Sequence, residues 1–225
     1  MLSAPTTFRL LLERYGPQRW WPADTAFEVV VGAMLMHRTS WRRVEEAIAN
    51  LRSARLLSPL GIAGCPLPRL RTLLRPAGLY STKPRRLRAL CRAIVSGGGL
   101  PAFLSGSLEE VRTRLLALEG VGEETADSVL LYAAGRPTFV IDAYTRRIAR
   151  RLGWFDGGSY GEAKAWFEGR LPREASVYNE LHALLVAHAK ALCRPRPRCP
   201  ECPLLRSCPH GRAQVYPRAS ASRPR

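Results

Sequence analysis

The sequence predicts an all-α fold, on three observations. Apolar residues recur at helical spacing in one segment after another. β-type alternation is almost absent: its one candidate, Thr138 to Ile141, is too short to build a sheet. The breaks between periodic segments carry the glycines, prolines and polar cap residues that end and begin helices.

Phe27 to Leu51, FEVVVGAMLMHRTSWRRVEEAIANL, reads as two helices joined by a polar turn at His37 to Ser40. Pro59, Gly61, Gly64, Pro66 and Pro68 punctuate the connection that follows. Leu70 to Ala77 gives a short helix, and Lys83 to Ser96 gives another before Gly97-Gly98-Gly99. Ser107 followed by Glu109 and Glu110 marks a helix start, with Val111 to Leu118 as its apolar face. After Glu119-Gly120-Val121-Gly122 come helices at Thr125 to Ala134, Ala143 to Leu152 and Tyr178 to Leu192. Beyond His210 the residues GRAQVYPRASASRPR are basic and poor in apolar content, which reads as a mobile tail. No internal repeat is evident.

At 225 residues and 46% apolar content the chain has enough material for a substantial core. Its formal charge of +17 and pI near 10.7 point to a polyanionic partner, nucleic acid before membrane surface. The three lysines, Lys83, Lys164 and Lys190, stand against 32 arginines, so part of the basicity reflects an arginine-biased composition. That bias leaves the excess over acidic residues unexplained, and the excess is what binds a phosphate backbone. No apolar run of about 18 residues and no cleavage pattern occur, so neither a transmembrane helix nor a signal peptide is indicated. An intracellular, cytoplasmic protein is expected.

Gly120 and Gly122 flank one apolar residue, Val121, just before a helix. Glycine removes the Cβ that would block a close backbone approach, so such a hairpin turns tightly and offers amides to a phosphate. An ordinary helix–turn–helix connection would also use it. Twenty residues after Gly122, Asp142 stands at the end of the apolar stretch Phe139-Val140-Ile141 and before a helix. A helix cap explains an aspartate there as well.

Together LEGVGEETADSVLLYA and FVIDAYTRRIARRLG resemble the helix-hairpin-helix and catalytic-aspartate region of the endonuclease III superfamily of DNA glycosylases. The resemblance extends to Phe27 through Leu51 and to the cysteine cluster. It implies a six-helix barrel domain and a second helical domain made from both chain ends, with double-stranded DNA gripped between them. On this chain the parts would be 1–26, 27–141 with the hairpin at 118–126, 142–210 with a cysteine loop at 193–208, and a tail at 211–225. A monomer on nucleoid DNA is expected.

The family's essential aspartate matches Asp142, and a carboxylate there stabilises the positive charge that develops on the sugar as an N-glycosidic bond breaks. Bifunctional members carry a Schiff-base lysine two residues after the last hairpin glycine; here Glu124 holds that place, and a carboxylate forms no imine. The resemblance therefore implies hydrolytic base release with little or no strand cleavage. The phrases GEETADSVLLYA and VIDAYTRRI are closer to the branch that includes bacterial 3-methyladenine glycosylases. An N3-alkylated purine is cationic, already a good leaving group and suited to aromatic stacking.

That branch places Trp20, Trp21 and Trp41 at the pocket, although core packing explains any one tryptophan. Lys190 matches a pocket lysine, and Glu124 would face the pocket with Asp142. His37 and Arg38 occupy the turn where relatives keep a residue that fills the gap left by a flipped base. Gly120, Val121, Gly122 and Thr125 would meet the DNA backbone. An oxidised-pyrimidine glycosylase with lyase activity, and a damaged-DNA-binding protein without catalysis, are the alternatives.

Four cysteines crowd into Cys193-x5-Cys199-x2-Cys202-x5-Cys208, laced with prolines, while Cys65 and Cys91 stand alone. Crowding favours metal over disulfides. The spacing alone fits zinc or iron. Similarity to endonuclease III implies a [4Fe–4S] cluster, although relatives usually have six residues in the first gap. Arg194, Arg196 and Arg198 in that gap would meet phosphates.

Overall fold

The computed structural model describes residues 2–18 and 20–216. Among them are thirteen α-helices and no strand. In chain order they are α1 (Ala4–Tyr15), α2 (Ala26–Leu35), α3 (Trp41–Ser53), α4 (Pro59–Gly64), α5 (Leu67–Leu73), α6 (Thr82–Ser96) and α7 (Leu100–Phe103). Then follow α8 (Leu108–Leu116), α9 (Glu123–Ser128), α10 (Ala143–Leu152), α11 (Tyr160–Glu168), α12 (Ala175–Ala191) and α13 (Pro209–Val215). The expected all-α fold is the fold observed, and Thr138 to Ile141 is buried chain without regular secondary structure.

Helices α1, α4, α7, α11 and α13 were not foreseen from periodicity. Several start at residues that read as breakers: Pro59 and Pro209 occupy the first turns of α4 and α13, where a missing N–H costs nothing. Helix α11 opens with a capping box, Ser159 and Glu162 each satisfying the other's backbone.

The chain divides into two compact units, one continuous over Trp21–Thr138 and one built from Met1–Trp20 with Phe139–Arg225. Both breaks fall earlier than the expected 26 and 141. Trp21 packs on Trp41 of the continuous unit. Phe139 stacks on Phe167 of the other, ring centroids 4.3 Å apart.

The continuous unit buries α2 almost entirely, against a core that includes Leu51, Ile62, Leu70, Leu87, Ile94, Val111 and Leu115. At about 25 cal/mol per Å², each such fully buried Leu or Ile contributes roughly 1.5–3 kcal/mol. Helix α9 passes into a π-helical turn, Val129–Ala133. In the unit made from both ends, Leu11 of α1, Phe167 of α11 and Tyr178, Leu181 and Leu185 of α12 are buried. The Trp154 indole N–H donates to the Leu2 carbonyl at 2.6 Å.

The segment expected as a mobile tail from Gly211 begins instead as part of α13, and Gly211 is buried with its amide on Cys208 Sγ at 3.3 Å. The rest of that expectation, from Pro217 onward, lies outside the described residues. No helix among the described residues is long and apolar enough to cross a membrane.

Candidate functional site

The hairpin of the continuous unit is held from behind by a buried ion pair. Arg112 of α8 donates through Nε to Asp127 Oδ1 of α9 at 2.9 Å, and Asp127 is completely buried. Thr138 Oγ1 donates to the same carboxylate at 3.2 Å, and Arg112 also reaches Glu123 at 3.3 Å. Between these helices Gly120 has φ +83°, and a Cβ there would fall inside the Arg86 side chain. The positive φ favours glycine, and any larger residue would also displace the Arg86 side chain. Gly122 faces open space.

Two hairpin residues expected to meet the DNA backbone are engaged within the protein. The Val121 side chain is buried in the core and its amide donates to the Leu118 carbonyl at 3.1 Å, so neither group is turned to a phosphate. Among the described residues, the Gly120 and Gly122 amides have no hydrogen-bond partner. Thr125 is also buried: its hydroxyl pairs with His37 Nε2 at 2.7 Å. That bond ties the turn between α2 and α3 to the first turn of α9. His37 is shifted toward its neutral form by burial and by the charges of Lys83 and Arg86. Arg38 beside it is exposed with φ 52°, a left-handed conformation that costs a non-glycine residue about 1 kcal/mol. Glu124 is exposed on the first turn of α9.

Trp21 and Trp41 meet edge to face, centroids 5.3 Å apart, and Trp21 also touches Tyr132 at 5.1 Å. Gly32 of α2 makes room for them, since a Cβ there would lie 3.3 Å from the Trp21 ring. Tyr132 was missed in the sequence because it belongs to the π turn, which shifts the helical face by one residue. Trp20 lies in the other unit, with Lys190 Nζ 5.7 Å from its ring centroid.

Asp142 caps α10, its Oδ1 accepting from the Thr145 amide at 2.7 Å. The cap uses one carboxylate oxygen; the other, Oδ2, lies 3.8 Å from Nε2 of buried His182 on α12. His182, absent from the sequence expectations, has no local motif to announce it.

All six cysteines are free thiols. Cys193, Cys199, Cys202 and Cys208 line one small cavity, with Ile148, Leu152, Leu192 and Leu204 as its apolar wall. Donors converge on the sulfurs. Arg151 reaches Cys193 Sγ at 3.2 Å, and His188 Nε2 lies 3.6 Å from Cys202 Sγ while its Nδ1 bonds Tyr15 OH at 2.9 Å. Burial pushes the Cys202 thiol up to about 11 and the His188 imidazole down to about 4. Among the described residues no group of three or more His, Cys, Asp or Glu side chains is set to hold a metal ion.

Arg151 also clamps the loop, donating to the Arg194 carbonyl at 2.6 Å and the Pro195 carbonyl at 3.0 Å. Of the three loop arginines, Arg194 folds back onto the Lys190 carbonyl at 2.7 Å and Arg198 pairs with Glu201 at 2.8 Å. All three are exposed.

A family model described as HhH-GPD superfamily base excision DNA repair protein matches residues 31–173. A candidate DNA repair glycosylase of Methanocaldococcus jannaschii is 43% identical over 205 residues, covering 89% of this chain and 93% of that one. Endonuclease III of Thermotoga maritima is 30% identical over 185 residues, 81% and 82% of the two chains. Among solved structures, H. pylori 3-methyladenine DNA glycosylase bound to 1,N6-ethenoadenine matches with a TM-score of 0.74 and 26% identity. That match covers 84% of this chain and 98% of that one.

Proposed function

Since this chain belongs to the HhH-GPD superfamily of base excision DNA repair proteins, we propose that it is a monofunctional glycosylase that releases an alkylated purine, such as 3-methyladenine, from duplex DNA. Glu124 carries the reading: a carboxylate is exposed in the α9 turn where bifunctional relatives keep their Schiff-base lysine. The three lysines are engaged elsewhere. Lys83 is buried against the Ala77 carbonyl at 2.6 Å, Lys164 lies 3.8 Å from Glu168, and Lys190 sits over Trp20.

In this reading the alkylated base leaves with the electron pair of the N-glycosidic bond. An N3-alkylated purine is cationic, so departure neutralises it and little acid is needed. The charge passes to the sugar, where Asp142 stabilises it. Water then bonds the anomeric carbon and gives its proton to the Asp142 carboxylate, leaving free base and an abasic site. Trp21, Trp41 and Tyr132 offer faces for a flipped base. The hairpin amides of Gly120 and Gly122, with Arg196, meet phosphates, and His37 and Arg38 fill the vacated stack.

Cys193, Cys199, Cys202 and Cys208 would hold a [4Fe–4S] cluster, which when bound orders the loop and supplies no reaction chemistry. An all-thiol set on an apolar cavity, with N–H donors directed at sulfur, suits a cluster better than one ion. The enzyme would act as a monomer in the cytoplasm, on nucleoid DNA. An endonuclease III-type activity on oxidised pyrimidines is the second reading, favoured by the 30% identity to endonuclease III.

The test is base release from duplexes carrying alkylated purines or oxidised pyrimidines, with and without alkali. Alkali-dependent cleavage of alkylated duplex, abolished by Asp142→Asn, is the expected result. Spontaneous nicking with a borohydride-trapped complex would replace it with the second reading, and binding without release would leave only a damaged-DNA-binding protein.

A further inference from the structure

His182 lies in the middle of α12, among Leu181, Leu184 and Leu185, all fully buried. At 5% exposure it shares that environment, where an apolar side chain fits at no desolvation cost and an imidazole carries one. The Phe139 ring packs edge-on against it at 6.3 Å. Its Nε2 faces Asp142 Oδ2 at 3.8 Å, while Asp142 Oδ1 is fixed by the Thr145 amide. A nitrogen lone pair directed at a carboxylate oxygen is repulsive, so Nε2 carries a proton in this arrangement.

We propose that His182 is a positioning residue for Asp142, its Nε2–H fixing the carboxylate oxygen that the α10 cap leaves unassigned. The inference rests on the reading of Asp142 as the carboxylate of base release. With a donor on each oxygen, rotation about the Cβ–Cγ bond is stopped and the remaining lone pairs keep one direction. A carboxylate oriented before the reaction needs no reorganisation as charge grows on the sugar, which is where such groups lower barriers. The separation is longer than a hydrogen bond, as pairs in free enzymes often are before substrate tightens them. Burial moves the imidazole toward neutrality and Asp142 opposes that shift.

The test compares single-turnover release of 3-methyladenine by wild type, His182→Leu, His182→Gln, Asp142→Asn and the Leu/Asn double variant. Affinity for a duplex with an abasic-site analogue is measured beside it. His182→Leu is expected to slow release by roughly 10- to 100-fold with affinity kept. His182→Gln, which restores an N–H donor, recovers most of the rate. The double variant is no slower than Asp142→Asn, because the histidine acts only through the carboxylate. In ¹⁵N spectra the His182 imidazole resonances shift on Asp142→Asn. Wild-type rates in His182→Leu, equal losses in Leu and Gln variants, or additive losses in the double variant would overturn the positioning role while the glycosylase reading stands. A wild type that releases no base from any duplex overturns both.

Discussion

Lys83 carries its ammonium into the interior of the continuous unit, 4% exposed, with the Ala77 carbonyl as its partner. Burial pulls its pKa from 10.5 down to about 8. Between those values the unfolded chain holds the proton and the folded one releases it, so stability rises with pH through that window and the full penalty applies below it. Lys83→Met removes the dependence. Relative to that variant, wild type should gain roughly 3 kcal/mol of unfolding free energy between pH 7.5 and 10.5, read from denaturant curves; parallel curves would place the amine in water. Residues whose chemistry is local were legible in the sequence: four crowded cysteines, and an aspartate before a helix. His182, Arg151 and Tyr132 were not, because each acquires its contacts from a partner brought up by another helix or by a change of helical pitch. Val121 and Thr125, whose sequence position suits DNA, are buried by packing that no local pattern announces.

At the scale of elements, the hairpin depends on the Arg112–Asp127 pair joining α8 to α9. An arginine and a fully buried aspartate hold each other's charge, and Glu123 shares the guanidinium. Arg112→Met strands the Asp127 carboxylate and should cost about 3–5 kcal/mol, measured by denaturant unfolding. Asp127→Asn in the same background should return part of that loss. A cost under about 1 kcal/mol would mean the helices are held by their apolar contacts alone. Helices with long apolar periods and polar caps, such as α3, α6 and α10, were legible with nearly their observed bounds. The short helices α4, α7 and α13 were not, since four to seven residues show too little of a 3.6-residue period and their initiating prolines read as interruptions; the longer α1 and α11 were missed as well.

The whole molecule carries a net charge of +17, against which any phosphate-binding reading must be weighed. The identity of the group on the four thiols is a property of the intact protein. Iron and acid-labile sulfide in equal amounts, with visible absorbance lost in Cys202→Ser, are expected; colourless protein with one zinc per chain would reverse the assignment. The all-α architecture was legible because no segment long enough to pair carries alternation. The positions of the breaks were not, since Trp21 and Phe139 choose their units by packing. One unit is assembled from both chain ends, and that arrangement imposes an order on biosynthesis. The Trp154–Leu2 bond spans 152 residues of sequence and the Tyr15–His188 bond spans 173. While a ribosome delivers the chain, Trp21–Thr138 emerges complete, but α1 waits with the Leu11 face uncovered until α12 has been synthesised. The cysteine loop follows α12 and is synthesised after it. A nascent chain stalled before Tyr178 holds every residue of the hairpin and Asp142, yet leaves the apolar face of α1 without the helix that covers it.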